Sequence, residues 1–86
     1  MITIELFGVP RLRAGTSRVN LDAASLASAL RALGRICPAL DGPVIAGDAL
    51  HPAYRACLNS EQFVSDPATP LADGDVLLVM AADVGG

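Results

Sequence analysis

The sequence predicts an α+β fold, and three features carry the prediction. Apolar alternation opens the chain at Ile2-Thr3-Ile4-Glu5-Leu6-Phe7, one amphipathic helical stretch follows, and the strongest apolar run, Val76-Leu77-Leu78-Val79-Met80, comes near the end. Eighty-six residues with 52% hydrophobic content suit a single folded domain. At this size roughly 60–65% of the unfolded surface can be buried, which allows one small core. The aromatic residues are Phe7, Tyr54 and Phe63, so that core falls to Leu, Val, Ile and Ala.

Ile2, Ile4 and Leu6 share one face of a first strand. Gly8-Val9-Pro10 breaks it, Ala14-Gly15-Thr16 reads as a turn, and Ser17-Arg18-Val19-Asn20-Leu21 alternates again. The two runs predict an opening hairpin with a loose loop. Asp22 is the N-cap candidate for a helix over 23–33, with Ser25 the alternative. Leu26, Ala29, Leu30 and Leu33 lie at i, i+3, i+4 and i+7, which makes one helical face apolar. Gly34 is the candidate C-cap; the alternative is one more turn through Ile36, ended by Pro38.

From Cys37 to Tyr54 the punctuation by Pro38, Gly42, Pro43, Gly47 and Pro52 predicts loop, with a short turn of structure at Ala49-Leu50. Arg55-Ala56-Cys57-Leu58-Asn59 reads as a strand paired with Gln62-Phe63-Val64 across Ser60-Glu61. Asp66-Pro67 and Thr69-Pro70 are breakers, and Asp73-Gly74-Asp75 is a structural turn. The final run is apolar on both faces, as a central strand requires. A mixed sheet of four to five strands on one main helix, with the last strand in the middle, is a β-grasp arrangement. The predicted boundaries are a domain over 1–80 and a flexible tail over 81–86.

Charge and composition narrow the function classes. A net charge of −3 argues against a nucleic-acid partner. No apolar run approaches the roughly 18 residues of a membrane span, and Met1-Ile2-Thr3-Ile4-Glu5 lacks the features of a signal peptide. The expectation is a cytoplasmic protein without a membrane partner. All six positive side chains are Arg, so chemistry based on a lysine Schiff base is excluded. Cys37 and Cys57 stand twenty positions apart with His51 the single histidine, which is not a zinc spacing; both read as small buried thiols, and no metal site is expected. Arg11 and Arg13 read as solvated loop residues, with salt-bridging to a partner the alternative.

The sequence closes on Val84-Gly85-Gly86. Two glycines form a thin segment that can enter a tunnel closed to side chains. A carboxylate on Gly86 is ionised at neutral pH and is a nucleophile. Leu58-Asn59 and Phe63-Val64 lead into Pro70-Leu71-Ala72-Asp73-Gly74-Asp75-Val76-Leu77-Leu78-Val79 and then Val84-Gly85-Gly86. This series resembles the ubiquitin-like sulfur carriers of the MoaD/ThiS family. Leu6-Phe7, Arg13-Ala14-Gly15 and the chain length are most similar to the small subunit of molybdopterin synthase.

The resemblance implies a β-grasp carrier with no catalytic constellation of its own. Gly86 would be joined to AMP by a ubiquitin-activating-type adenylyltransferase, then converted to a thiocarboxylate by a persulfide sulfur donor. No cofactor would be bound permanently, since the ATP is used by the activating partner. The acceptor would be an enzyme such as the large subunit of molybdopterin synthase. The alternatives are a carrier for thiamine, cysteine or a thio-containing natural product, or a ubiquitin-like modifier conjugated through Gly86. The partner surface would be the sheet face away from the helix, with Phe7, Leu58, Phe63 and Leu77 as candidates beside Val84 and Gly85. One departure keeps the acceptor open: Met80-Ala81-Ala82-Asp83 stands where the small subunits commonly carry a Phe-Pro-Pro-like segment.

Overall fold

The computed structural model describes residues 1–82. Its strands are β1 (Ile2–Leu6), β2 (Arg18–Leu21), β3 (Ile45–Ala46), β4 (Ala49–Leu50), β5 (Tyr54–Leu58), β6 (Gln62–Val64) and β7 (Val76–Ala81). Its α-helices are α1 (Val9–Ala14) and α2 (Leu26–Ile36), with a 3-10 turn at Pro38–Leu40. Five strands form one sheet in the order β2-β1-β7-β5-β6, and β3 pairs with β4 in a separate hairpin. β1 and β7 run parallel, whereas the other pairs of the sheet are antiparallel. β7 is therefore the central strand, as its doubly apolar run requires.

One side of the sheet is covered by α2. Ile2, Ile4 and Leu6 of β1, Ala56 and Leu58 of β5, and Leu77 and Val79 of β7 are buried there, together with Leu26, Ala29, Leu30 and Leu33 of α2. Leu58 and Leu77 are thus core residues, 8% and 0% exposed, and not parts of a partner face. Strand alternation explains the correction: Leu77 is cross-strand from Ile4 and from Leu58, all three pointing towards the helix.

The opening loop is not loose, because it contains α1. Pro10 supplies a helical φ in the first turn, where no N–H is needed. Gly15 takes the left-handed conformation at φ 74 and its N–H closes the helix on the Arg11 carbonyl at 3.0 Å. Six residues are too few for a clear helical period, so sequence patterning reads a break here.

α2 starts at Ser25 rather than at Asp22. Ser25 Oγ accepts from the Ser28 N–H at 3.2 Å, and Ser28 Oγ accepts from the Ser25 N–H at 3.2 Å, a reciprocal capping box. The Thr69 and Pro67 carbonyls accept from the N–H groups of Leu26 and Ala27, so the 66–70 loop fixes where the helix begins. Gly34 does not end it. The helix continues to Ile36, and Cys37 leaves helical geometry at φ −120, ψ 80, as the residue before a proline does.

The segment expected as loop holds the β3–β4 hairpin and three fully buried residues, Leu40, Val44 and Ile45. Each such side chain is worth about 1.5–3 kcal/mol on burial, which anchors a segment with little regular structure. Between β5 and β6 the central turn residues are Asn59 and Ser60, at φ 54 and 58, one position earlier than expected. The Glu61 N–H closes this turn on the Leu58 carbonyl at 3.0 Å.

The Asp-Gly-Asp turn is structural. Asp75 Oδ2 accepts from the Ala72 N–H at 2.8 Å, and Asp75 Oδ1 accepts from Asn59 Nδ2 at 3.0 Å. Asn59 Oδ1 in turn accepts from the Val76 N–H at 2.8 Å. The Ala72 amide and then the Asn59 amide hold the Asp75 carboxyl below its usual pKa. Two turns are tied together where β7 begins.

β7 also reaches into the expected tail. Ala81 pairs with Tyr54, and the Ala82 N–H donates to the Ala53 carbonyl at 2.7 Å. The rest of the tail, with Val84, Gly85 and Gly86, lies outside the described residues.

Candidate partner interface

Alternation along the strands places a second set of side chains on the face away from α2. The register aligns Arg18, Glu5, Leu78, Cys57 and Phe63 in one row across all five strands. Thr3 and Val76 lie on one side of this row, and Met80 and Arg55 on the other. Val76, Leu78, Met80 and Cys57 are half-buried, and Phe63 is 58% exposed. The centre of the face is therefore apolar and has nothing of this chain packed over it among the described residues. Uncovered apolar surface of this kind, with a polar edge, is what interfaces present.

The edges are polar. Arg18 donates to Glu5 Oε2 at 3.0 Å, an exposed pair worth about 0.2–1 kcal/mol. The Arg55 guanidinium stacks over the Phe63 ring, 5.2 Å from its centroid, and holds the ring at the surface.

Of the expected partner-face residues, Phe7 (51% exposed) and Phe63 stand at the surface, while Leu58 and Leu77 do not. Sequence reasoning missed Val76, Leu78 and Met80, because a strand apolar on both sides does not reveal which face meets the helix. It also missed Val9 and Leu12, which α1 presents at 44% and 76% exposure. Cys57 is half-buried on the open face, not buried as expected, whereas Cys37 is in the core and burial raises its thiol pKa. Among the described residues no cluster of His, Cys, Asp and Glu could hold a metal ion, and no helix is long and apolar enough to cross a membrane.

A central β7 parallel to β1, one helix across one side and an open apolar opposite face define a ubiquitin-like β-grasp protein. Solved structures of that class match nearly the whole chain. SAMP1 from Haloferax volcanii is 28% identical, with a TM-score of 0.79 over 99% of this chain and 98% of that one. SAMP1 from Methanosarcina acetivorans is 21% identical, with a TM-score of 0.76 over 99% and 95%. A chain of the Amycolatopsis orientalis BexX/CysO complex is 18% identical, with a TM-score of 0.82 over 100% of both chains. No family profile and no curated protein sequence matches the chain. The ubiquitin-like fold implied by the MoaD/ThiS resemblance is met.

Proposed function

We propose that this protein is a sulfur carrier whose Gly86 carboxylate is the working group. The carboxylate attacks the α-phosphate of ATP on a ubiquitin-activating-type adenylyltransferase; pyrophosphate leaves and an acyl-adenylate forms. The terminal sulfur of a persulfide then attacks the acyl carbon and AMP leaves. Cleavage of the remaining S–S bond by a thiol gives the Gly86 thiocarboxylate. Positioning rather than side-chain catalysis lowers the barrier for such a carrier, which brings no nucleophile–base pair of its own.

The observation that carries the reading is the geometry of the tail root. The central strand ends at Ala81, and Ala82 is still held by Ala53, beside an open apolar face. The four residues beyond Ala82 reach at most about 13–14 Å, so the activating site must come close to the sheet. The open face is the natural dock for that approach. For the acceptor we propose the large subunit of molybdopterin synthase, on the strength of the Pro70–Val79 and opening-strand resemblance.

A second reading is supported by the 28% likeness to a protein described as a small archaeal modifier. There Gly86 would be conjugated to lysines of other proteins, and this chain, lacking lysine, would not form side-chain-linked polymers.

Intact mass spectrometry of protein from its native host separates the two. A mass gain matching sulfur for oxygen at Gly86 supports the carrier. Isopeptide adducts alone would favour the modifier. Gly85→Val with Gly86→Val should abolish adenylation while the fold remains, and normal adenylation of that variant would overturn both readings.

A further inference from the structure

The segment from Cys37 to Tyr54 supplies no residue to the row across the open face, yet it ends beside the tail root. The His51 carbonyl accepts from the Tyr54 N–H at 2.9 Å, which closes a four-residue turn with Pro52 and Ala53 at its centre. Pro52 takes the first central position, where its fixed φ is already that of the turn. The turn is braced: the His51 N–H donates to the Val44 carbonyl at 2.9 Å, and the Val44 N–H donates to the Leu40 carbonyl at 3.0 Å. Val44 and Leu40 are fully buried, so the brace stands on the core. Tyr54, the residue that leaves the turn, pairs with Ala81, and the Ala53 carbonyl accepts from the Ala82 N–H at 2.7 Å. Among the described residues this bond is the contact furthest along the chain.

We infer that the turn over 51–54 is a bracket for the tail, with Pro52 its positioning residue: Pro52 fixes the Ala53 carbonyl that holds Ala82, and so sets where the free tail starts and how long it is. The inference rests on the carrier reading and adds the residues that govern presentation of the Gly86 carboxylate. With Ala82 held, four residues carry that carboxylate to the α-phosphate of ATP, from which pyrophosphate leaves. Without the bracket Ala82 joins them. Its backbone must then be ordered again each time the tail enters the activating site. Fixing one residue in this way is equivalent to roughly 5–30-fold in rate. The same account gives a role to the 3-10 turn and the β3–β4 hairpin, whose buried Leu40 and Val44 carry the brace.

The test reads the contact and its consequence separately. Amide exchange of the whole chain, followed by NMR, should show the Ala82 N–H protected in the wild type and less protected in Pro52→Gly, with the five-stranded sheet unchanged. Adenylation by the host's ubiquitin-activating-type adenylyltransferase is then measured as pyrophosphate released, at a temperature where every variant is folded. Ala82→Pro removes the donor and leaves Ala81 extended, as the residue before a proline is. It should lower kcat by about 5–30-fold with KM little changed, since the open face is untouched. Pro52→Gly should lose part of that, and the double variant no more than Ala82→Pro alone, because both act through one bond. Pro70→Gly, which gives up the same restraint ahead of β7, should keep the wild-type kcat. An unprotected Ala82 amide in the wild type, a wild-type kcat for Ala82→Pro, or losses that multiply in the double variant would each overturn the inference. Absence of adenylation in a wild type whose Ala82 is protected would instead remove the carrier reading, and the role given to the bracket with it.

Discussion

Substitution of Leu77 and Leu78, neighbours on β7, separates the two faces of the sheet. Leu77 is fully buried between Ile4 and Leu58 under α2, whereas Leu78 is half-buried on the open face between Glu5 and Cys57. Leu77→Ala removes three methylene equivalents from a site where β7 is held on both sides, so the cavity cannot collapse easily. Such changes cost about 2–5 kcal/mol. A domain of this size has roughly 4–13 kcal/mol of stability in all. The expected fall in Tm is about 8–40 °C, at roughly 4–8 °C per kcal/mol. Leu78→Ala loses only part of a side chain that already meets water, about 1 kcal/mol or less. Urea denaturation of both variants, beside adenylation at a temperature where each is folded, gives the comparison. Leu77→Ala should be unstable but active when folded, and Leu78→Ala stable but poorly activated. Equal destabilisation, or the reverse order, would refute the assignment of faces and the partner interface built on it.

Three further outcomes follow from particular contacts. Ser25→Ala loses the reciprocal cap with Ser28 and should lower stability by about 1 kcal/mol in chemical denaturation. Asp75 has a depressed folded pKa, so its contribution is present above its unfolded value of about 3.9 and is lost as pH falls through the lower folded value. Asp75→Asn should therefore flatten the acid limb of a Tm-against-pH curve, and an unchanged limb would contradict the Ala72 and Asn59 contacts. Cys37, buried with a raised thiol pKa, should resist alkylation until the protein unfolds. Cys57 should react in the native state, and a docked activating enzyme should protect it; labelling unaffected by that enzyme would place the interface elsewhere.

Much of the fold was legible because strands and helices leave periods in the sequence. Ile2, Ile4 and Leu6 announced one face of β1, and Leu26, Ala29, Leu30 and Leu33 announced the buried face of α2. Elements without a period stayed hidden. α1 is six residues long, and the β3–β4 hairpin has two residues to a strand. Both are set by Pro10, Gly15 and long-range burial rather than by local pattern. The exact start of α2 was ambiguous between Asp22 and Ser25 because either side chain can cap. The Thr69 and Pro67 carbonyls decided it, and they arrive from forty or more residues away in sequence.

For the proposed site, the sequence by itself supplied the candidates: Val84-Gly85-Gly86, no lysine, and a turn leading into a central apolar strand. It also supplied the exposed candidates Phe7 and Phe63. Only the tertiary structure decided which side of that strand is core and which is surface, because Val76 to Met80 is apolar at every position. Cross-strand register turned Leu77 inward and Leu78 outward. The same register set Arg55 beside Met80. Which face a side chain takes depends on long-range strand register, and a run apolar at every position carries no sign of it.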